Sequence, residues 1–378
     1  MKQIIAVALL LGGIATAVNA QQPAPANARM LPDISVVGDL LGDFSPKGST
    51  QEDRTRFGIR EIELALQAAV DPYFRGDVFL GFSDAEGVHI EQAFLTTTAL
   101  PAVEARLGRF LMPVGKTNTT HRHDLHTIEY PWVVQRFFGA EGLKGTGVYV
   151  SRVFAPLGFY QELQLTAVDR IGEAPEELFT EEPVNQDLSG LAFSARLRNY
   201  WDLSSAANVE ISGSVLTGKV EQPYAFGGAG PSPEVNAVSA GQTILGGDAT
   251  FRWRPLQEGL YRSFIAQAEI YRQTNGRSDD AAFGGPNRDF TGAYGFARWQ
   301  LTRRTYVAGR YDWTQDPELG GETLTAASGY IQWYPSEFSK LTLAFERVMP
   351  ARIAAVDATN RLLLQATFAI GPHKPHPF

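Results

Sequence analysis

Apolar and polar residues alternate with a period of two along many stretches of this chain. In Phe57–Val70, for example, Ile62 and Leu64 lie on one side of an extended chain, whereas Glu61 and Glu63 lie on the other. The same alternation is found at Leu191–Trp201, Arg304–Thr314 and Arg361–Gly371. A period of two is typical of β-strands that have one apolar face and one polar face. We count about sixteen such stretches, which predict an all-β protein.

Short turns and long polar loops connect these stretches in alternation. The short connections are Asp71-Pro72 and the segments 99–102, 155–158, 202–205, 255–259, 302–304 and 335–339. The long connections are 45–55, 113–143, 170–188, 219–241, 274–289, 315–322 and 350–360, with one shorter link at 83–87. This rhythm is typical of outer-membrane barrels, which have short periplasmic turns and long extracellular loops. It predicts a transmembrane antiparallel up-and-down β-barrel over residues 31–371, with about 16 strands (18 is the alternative) and a long third extracellular loop.

The aromatic residues favour a membrane over water as the surroundings of the sheet. Four tryptophans lie within about three residues of a short turn, namely Trp201, Trp253, Trp299 and Trp333. Other aromatic residues gather at the same strand ends: Tyr73, Phe74, Tyr200, Tyr261, Tyr306, Tyr334 and Phe338. Aromatic rings form a girdle at the membrane–water boundary of such barrels. The core aromatics of a soluble sandwich would instead be spread along the strands.

The two ends of the chain are interpreted separately from the barrel. Residues 1–20 have a charged start at Lys2, a short apolar core and a small-residue cleavage site at 18–20, which predicts a cleavable signal peptide. Residues 21–30 are rich in proline and alanine and are interpreted as a flexible lead-in. Residues 372–378 contain three prolines and are interpreted as a periplasmic tail, because proline cannot contribute to a β-ladder.

Composition removes several classes of function. The chain has no cysteine, so it has neither disulfides nor thiolate metal sites. Its formal net charge of -8 argues against nucleic-acid binding. It also has neither a His-Glu-x-x-His nor a Gly-x-Ser-x-Gly motif, and Phe110 stands where a phosphate-binding loop ending in Gly115-Lys116-Thr117 would need glycine. We therefore predict a protein that is not an enzyme and needs no cofactor.

The longest connection, 113–143, is the main candidate for a functional element, because loops of this length are rarely idle in a compact fold. We predict that it folds into the lumen and narrows it; an extracellular cap is the alternative. The loop and the polar faces of the strands supply the candidate pore-lining residues, which are Arg122, His123, Asp124, Glu129, Arg136, Arg196, Arg198, Arg252, Arg254 and Arg310. The pairs Arg196/Arg198 and Arg252/Arg254 would each suit a phosphate or carboxylate, unless neighbouring carboxylates neutralise them.

The same loop contains a group of potential metal ligands. His121, His123, His126 and Glu129 lie close together in the sequence. Imidazole and carboxylate can bind zinc, but strong sites are usually built on rigid elements. A run of this kind in a loop is more often without metal, and we predict no metal site.

The segment Val103–Gly115 resembles the fifth-strand segment of the phosphate-selective porin O and P superfamily. The match consists of Arg106, Gly108, Phe110, Pro113 and Gly115, with Val114 in place of the family's usual aromatic residue. A looser similarity lies at Gly142–Val150, where that family re-enters the barrel after its long third loop. The resemblance implies an outer-membrane diffusion channel that assembles as a homotrimer. The chain has only seven lysines, which departs from the basic lumen of the family's phosphate specialists.

Together these observations predict a porin in the outer membrane of a Gram-negative cell. It would let small hydrophilic solutes and ions diffuse passively, with a preference for anions such as phosphate. Its expected partners are outer-membrane lipid and lipopolysaccharide, the solutes, and further copies of itself, but no nucleic acid. One alternative is a barrel with a closed lumen that serves surface adhesion. The other is a membrane-embedded hydrolase, which would have to use His89, the only histidine in a predicted strand.

Overall fold

A computed structural model describes residues 32–51, 55–84, 87–171, 190–225, 235–278, 288–316, 322–349 and 358–372. The predicted signal peptide 1–20, the lead-in 21–30 and nearly all of the tail 372–378 lie outside these residues, so those three predictions remain predictions. In the part of the chain that the structure describes, no helix is long and apolar enough to cross a membrane.

In the residues that the structure describes, sixteen strands form one closed barrel. Each strand is antiparallel to its neighbours in the sequence, and β1 pairs with β16 to close the sheet. The strands are β1 (Asp33–Asp43), β2 (Phe57–Ala69), β3 (Phe74–Ser83), β4 (Gly87–Thr97), β5 (Val103–Leu111), β6 (Lys144–Phe154), β7 (Tyr160–Val168), β8 (Ala192–Ser204), β9 (Ala207–Ala225), β10 (Val235–Trp253), β11 (Phe264–Ser278), β12 (Arg288–Gln300), β13 (Thr305–Asp316), β14 (Glu322–Ser336), β15 (Ser339–Met349) and β16 (Thr359–Ile370). The prediction of a 16-stranded up-and-down barrel is confirmed, and the alternative of 18 strands is wrong.

The barrel has its polar face inside and its apolar face outside. In β11, Glu269 is 2% exposed and points inward, whereas the next residue, Ile270, is 54% exposed. In β13, Arg310 and Asp312 are buried on either side of the exposed Tyr311. Large exposed apolar side chains recur on the outer face of most strands, as a lipid-facing belt requires.

Part of the predicted aromatic girdle lies on that outer face. Trp299 and Trp333 are exposed, and the ring of Trp299 stacks on Trp253 with 5.7 Å between centroids. The prediction is wrong for Tyr306 and Tyr334, which share the inward face. The guanidinium of Arg298 lies 3.8 Å from the ring centroid of Tyr306 and donates to the Tyr334 hydroxyl at 2.9 Å.

Short turns and longer connections alternate around most of the barrel. There are two exceptions: the connection 84–86 has only three residues, and the predicted short turn 255–259 lies in a connection of ten residues, 254–263. Some of the predicted loops are also too long. The predicted loop 219–241 is largely strand, because β9 continues to Ala225 and β10 begins at Val235 opposite it. The predicted loop 274–289 is shortened in the same way by β11 and β12. Polar residues and glycines in these segments indicated loops, yet the backbone ladder continues beyond the apolar belt.

Two β-bulges add inward-facing polar side chains to the wall. The register between β1 and β2 shifts after Asp39, which pairs with Glu61, while Leu40 pairs with Ile59. Arg60 is therefore the extra residue, and its side chain points inward to Asp39. The same happens between β3 and β4, where Glu91 is the extra residue. A bulge re-aims a side chain in this way without ending the strand.

Candidate pore constriction

The connection between β5 and β6 crosses the inside of the barrel. Near its start, the Thr117 N–H donates to Glu269 of β11 at 2.8 Å. Further along, the Ile128 carbonyl accepts from Arg60 of β2 at 2.7 Å. These wall residues belong to strands far apart around the barrel. We call residues 112–143 the inner loop, and the structure places it in the lumen rather than over the mouth of the barrel.

The two ends of the inner loop are fastened to each other. The Asn118 amide donates to the carbonyls of Met112 at 2.8 Å and Leu143 at 3.0 Å, and its oxygen accepts from the Leu143 N–H at 2.6 Å. Gly142 has a φ of +75° beside this contact, and a Cβ there would lie 2.9 Å from the Asn118 oxygen. The buried amide of Asn118 thus holds the two ends of the inner loop together.

The start of the loop is fixed by the buried carboxylate of Glu269. Besides the Thr117 N–H, this carboxylate accepts the Thr117 hydroxyl at 2.6 Å and the Tyr294 hydroxyl at 2.7 Å. The Tyr271 hydroxyl donates to its other oxygen. Gly115 has a φ of +71°, and a Cβ at this position would overlap the Tyr271 hydroxyl. Only glycine lets the backbone approach the wall so closely.

The middle of the loop has irregular backbone whose carbonyls are satisfied by side chains of the wall. Lys340 donates to the His123 carbonyl at 2.9 Å, and Arg310 donates to the Glu129 carbonyl at 2.7 Å. Gln332 donates to the His126 carbonyl at 2.9 Å. Buried carbonyls need such partners, since an unpaired one costs about 1–3 kcal/mol. The wall is therefore built to hold this loop.

Glu129 makes a bidentate ionic contact with the wall. Its carboxylate accepts two parallel bonds from Arg361, at 2.8 and 2.9 Å, and Arg361 also donates to Glu346 at 2.8 Å. Burial acts to raise the pKa of Glu129. The guanidinium groups of Arg361, Arg122 and Arg60 outweigh burial and hold that pKa well below its ordinary value. This anchor stays ionised at neutral pH.

A short helix, α1 (Trp132–Phe138), fills one side of the lumen. Val133, Val134 and Phe137 are buried in an apolar cluster that includes inward aromatic residues of β11 and β12. The Trp132 N–H donates to Asp312 at 2.9 Å and orients the helix on β13. Apolar packing of this kind holds the helix against β11 and β12.

The inner loop has a polar cavity on each side. On the side of the short turns, a cavity of about 1200 Å³ is lined by Lys116, His121, Arg198, Arg252 and other residues. On the side of the long loops, a cavity of about 510 Å³ is lined by Arg60, Arg122 and other residues. His121 and Arg122 are consecutive in the chain, yet they line different cavities. A single length of backbone therefore separates the two cavities at this point.

Four cations of the larger cavity surround a single carboxylate, and we call them the cationic wall. Glu210 lies 3.1 Å from Lys116, 3.3 Å from Arg198, 3.7 Å from Arg196 and 3.9 Å from Arg252. Burial lowers the pKa of Lys116 to about 8, although Glu210 acts in the opposite direction. Arg196 also donates to Asp248 at 3.0 Å, and Arg198 donates to Glu162 at 2.7 Å. Neighbouring carboxylates therefore neutralise three of the four positive charges, and one is in excess.

Three glutamates on another part of the wall lie against the inner loop, and we call them the acidic wall. Oxygen atoms of Glu61, Glu63 and Glu91 lie within 4.8 Å of one another. His121 Nδ1 lies 2.7 Å from Glu63 and 3.4 Å from Glu91. Burial acts to lower the pKa of His121, but these two carboxylates outweigh it and raise that pKa well above its ordinary value.

The structure brings most of the predicted pore-lining residues to the inner loop or its anchors. Arg122 lies 3.4 Å from Glu141, and Arg136 lies 3.0 Å from Asp316. Arg310 pairs with Asp312 at 2.7 Å as well as holding the loop. The predicted set also contains His123 and Asp124, which lie beside the acidic wall, and Arg196, Arg198 and Arg252, which form most of the cationic wall.

Two predicted groupings are not brought together. Arg254 lies beyond the end of β10 in an exposed turn, where it donates to the Gly259 carbonyl at 3.0 Å, so it does not join Arg252 at the cationic wall. The loop histidines are also divided. His126 stacks on Phe296 with 6.0 Å between ring centroids, away from His121 and His123.

Sequence reasoning missed several residues that hold the loop. Arg60 and Glu91 break the two-residue alternation, because each is the extra residue of a bulge. Two consecutive polar residues inside an alternating strand were the available signal, at Arg60-Glu61 and Glu91-Gln92. Lys340 and Arg361 lie on the polar faces of β15 and β16, so strand parity could have found both.

Solved structures with a similar fold come from outer membranes. They include an anion-selective porin from Comamonas acidovorans (TM-score 0.57, 12% identity, covering 90% of this chain and 99% of that one). The outer membrane channel DcaP of Acinetobacter baumannii has the same TM-score and identity, covering 90% and 96%. A loop-deletion mutant of OmpT, an outer membrane protein of Vibrio cholerae, has a TM-score of 0.54 at 11% identity, covering 90% and 99%. At this identity the likeness shows the fold.

Sequence comparison adds less. No family model matches the chain, so its resemblance to the O and P superfamily remains a prediction. An uncharacterized protein from Aquifex aeolicus is 27% identical over 350 residues, which cover 86% of this chain and 71% of that protein.

Proposed function

We propose that this protein is a porin of the outer membrane that lets small hydrophilic solutes and ions diffuse passively. The observation that carries the proposal is the inner loop, which crosses the lumen of a closed barrel and has a polar cavity on each side. An inner loop of this kind sets the width of a water-filled path without closing the barrel. Passive diffusion needs neither a cofactor nor covalent chemistry.

The cationic wall supports a preference for anions. Arg198 and Arg252 keep 30% and 22% of their side-chain surface exposed, so a solute in the larger cavity can touch both. Three carboxylates, Glu210, Glu162 and Asp248, offset three of the four positive charges, which leaves a net charge of about +1. Arg252 has the longest carboxylate contact of the four, at 3.9 Å, and is the least neutralised. Guanidinium groups bind phosphate and carboxylate in a bidentate manner, so anions of these classes are the proposed favoured solutes.

The same proposal predicts the membrane in which the protein lies and its oligomeric state. The exposed apolar belt would contact outer-membrane lipid and lipopolysaccharide after export with a cleaved signal peptide. A homotrimer is the proposed assembly, and the similar protein OmpT of Vibrio cholerae has been solved in a trimer form. A trimer would appear as a heat-dissociable band on a gel.

Single-channel recording tests the proposal directly. The chain from Gln21 onward is refolded and inserted into a planar bilayer with a salt gradient across it. We expect stable conductance steps and a reversal potential with the sign of anion selectivity. The absence of steps from protein shown to be folded by its heat-dependent gel mobility would contradict the porin proposal and favour a closed barrel for surface adhesion. Steps with cation selectivity would contradict only the anion preference.

A further inference from the structure

We propose that the acidic wall and His123 together bind one divalent metal ion of the transition-metal class, such as Mn²⁺ or Zn²⁺. Two overlapping sets of potential ligands meet here: Glu61, Glu63 and Glu91 form one set, and Glu63, His121 and His123 form the other. Within each set, the ligand atoms lie within 4.8 Å of one another. The Glu63 carboxylate belongs to both sets and is the centre of the proposed site.

Charge is the first argument for a cation. The side chains of Glu63 and Glu91 are 4% and 6% exposed, and Glu61 is 5% exposed as a residue. Three buried carboxylates at this spacing repel one another and cannot all stay ionised without a compensating positive charge. His121 and Lys144, whose Nζ lies 3.9 Å from Glu91, supply two charges at most. A divalent ion would supply the rest and satisfy several oxygens at once.

The geometry of His123 is the second argument. Its Nδ1 atom lies 3.9 Å from the Glu63 carboxylate, which is too long for a hydrogen bond. Two ligands of one ion with bonds of about 2.1 Å lie about 3–4 Å apart, so this spacing suits a shared metal. The opposite ring nitrogen of His123 lies 3.4 Å from Asp124. A carboxylate beside the second ring nitrogen is usual for histidines that bind metals.

His121 is held in a different way and is assigned an orienting role. Its Nε2 atom lies 2.8 Å from the amide nitrogen of Gln92, whose oxygen accepts the Leu111 N–H at 3.0 Å. That second bond fixes the orientation of the Gln92 amide, so its NH₂ group donates to Nε2. Nε2 can accept this bond only in the neutral ring, so with the metal bound the single proton of His121 is on Nδ1, which faces Glu63. His121 donates to a ligand carboxylate, and the metal set is three carboxylates and one imidazole.

This donor set decides the class of ion. Carboxylates suit Mg²⁺, Ca²⁺ and Mn²⁺, whereas an imidazole nitrogen favours Zn²⁺ and other first-row transition metals. A mixed set of oxygen and nitrogen ligands therefore favours Mn²⁺ and Zn²⁺ over Ca²⁺. The site borders the larger cavity, which is lined by Glu63, His121 and His123, so an ion can reach it from the side of the short turns.

Calorimetric titration of the detergent-purified, folded protein with ZnCl₂ and with MnCl₂ tests the inference. We expect saturable binding of one ion per chain. The Glu63→Gln variant should lose affinity by at least about tenfold, and Asp124→Asn by about 10–100-fold, because second-layer carboxylates tune metal ligands by such factors. His126→Gln is the matched control: it removes a histidine of the same loop that lies outside the site, and its affinity should stay within about twofold.

Several outcomes would overturn the inference. If the wild type shows no saturable heat with either metal, the site binds no metal, and protons and neighbouring cations compensate the charge of the glutamates. Binding that persists in Glu63→Gln, or that is lost in His126→Gln, would place the metal elsewhere, for example at His373 and His376. If Glu63→Gln does not fold, electron spin-echo spectroscopy of Mn²⁺ bound to the wild type decides the question, because an absent ¹⁴N coupling rules out His123. These measurements need no open pore, so they stand even if the channel recordings fail.

Discussion

The cationic wall and the acidic wall meet the same inner loop, yet they differ in charge and in exposure. At the cationic wall, Arg198 keeps 30% of its side chain exposed beside Glu210. At the acidic wall, the side chain of Glu63 is only 4% exposed. The cationic wall can therefore act on a passing solute. The acidic wall acts on the inner loop and on the cation that compensates the charge of its glutamates. Opposite charges on different parts of one lumen also direct the electric field across the pore rather than along it.

The inner loop is what makes this difference possible. Within eight residues it gives Lys116 to the cationic wall and His121 and His123 to the acidic wall. Lys116 of the loop is one of the four cations of the cationic wall, and His121 of the loop lies against two glutamates of the acidic wall. Changes to the inner loop should therefore affect both walls, whereas changes to one wall should affect that wall alone.

Removal of residues 117–135 is expected to have the largest effect. This deletion takes away the Thr117 and Glu129 anchors and most of α1, so the lumen widens to the bare barrel. We expect single-channel conductance to rise several-fold and the difference between the walls to lose its influence on ion selectivity. Heat-dependent gel mobility checks that the barrel still folds. Unchanged conductance in a folded variant would mean that the loop does not limit the pore.

Neutralising the cationic wall is expected to have the next largest effect. Arg252→Gln removes the cation that is farthest from Glu210, at 3.9 Å, and so the least neutralised one. A unit charge about 4 Å away in water contributes about 1 kcal/mol, which is about fivefold in the local concentration of an anion. We expect the reversal potential under a salt gradient to shift toward cations, most strongly at low salt.

Arg254→Gln is the matched control for that prediction. It removes the same charge two residues away, from an exposed turn beyond β10. We expect little change in the reversal potential. If both variants shift it equally, selectivity depends on the net charge of the mouth and not on the cationic wall.

Glu91→Gln at the acidic wall is expected to act in the opposite direction and more weakly. It removes one of three close carboxylates, and this one is kept ionised by His121 at 3.4 Å and Lys144 at 3.9 Å, so the lumen becomes less negative and the reversal potential moves toward anions. The shift should be smaller than that of Arg252→Gln, because Glu91 is only 5% exposed. Glu258→Gln, in an exposed turn next to Arg262, is the control. A shift larger than that of Arg252→Gln would mean that the acidic wall, and not the cationic one, faces the permeating ion.

Much of the barrel could be predicted from the sequence, because a two-residue period fixes which side chains point inward. The inward positions of Glu61, Glu63, Arg196 and Arg198 follow from that period alone. The bulges at Arg60 and Glu91 could not be placed, since a register shift depends on the partner strand as well as on the strand itself.

The route of the inner loop could be predicted only as a hypothesis. Its length and composition indicated a function, but its path is set by contacts with residues more than a hundred positions away, such as Thr117 with Glu269. The division of the histidines shows the consequence. His121 and His126 are close in the sequence, yet the first lies beside Glu63 and the second beside Phe296.

The smallest expected effect is a dependence of selectivity on pH that comes from Lys116. Burial lowers its pKa from the ordinary lysine value to about 8, so its charge is present below about pH 8 and is lost as the pH rises through that value. The cationic wall then loses one of its four charges, and the reversal potential should move toward cations with a midpoint near pH 8. Lys116→Gln should remove this step, whereas Lys47→Gln, on an exposed loop, should leave it in place. A step that survives Lys116→Gln must come from another group, and the contribution of Lys116 to the cationic wall would then be structural, through its 3.1 Å contact with Glu210.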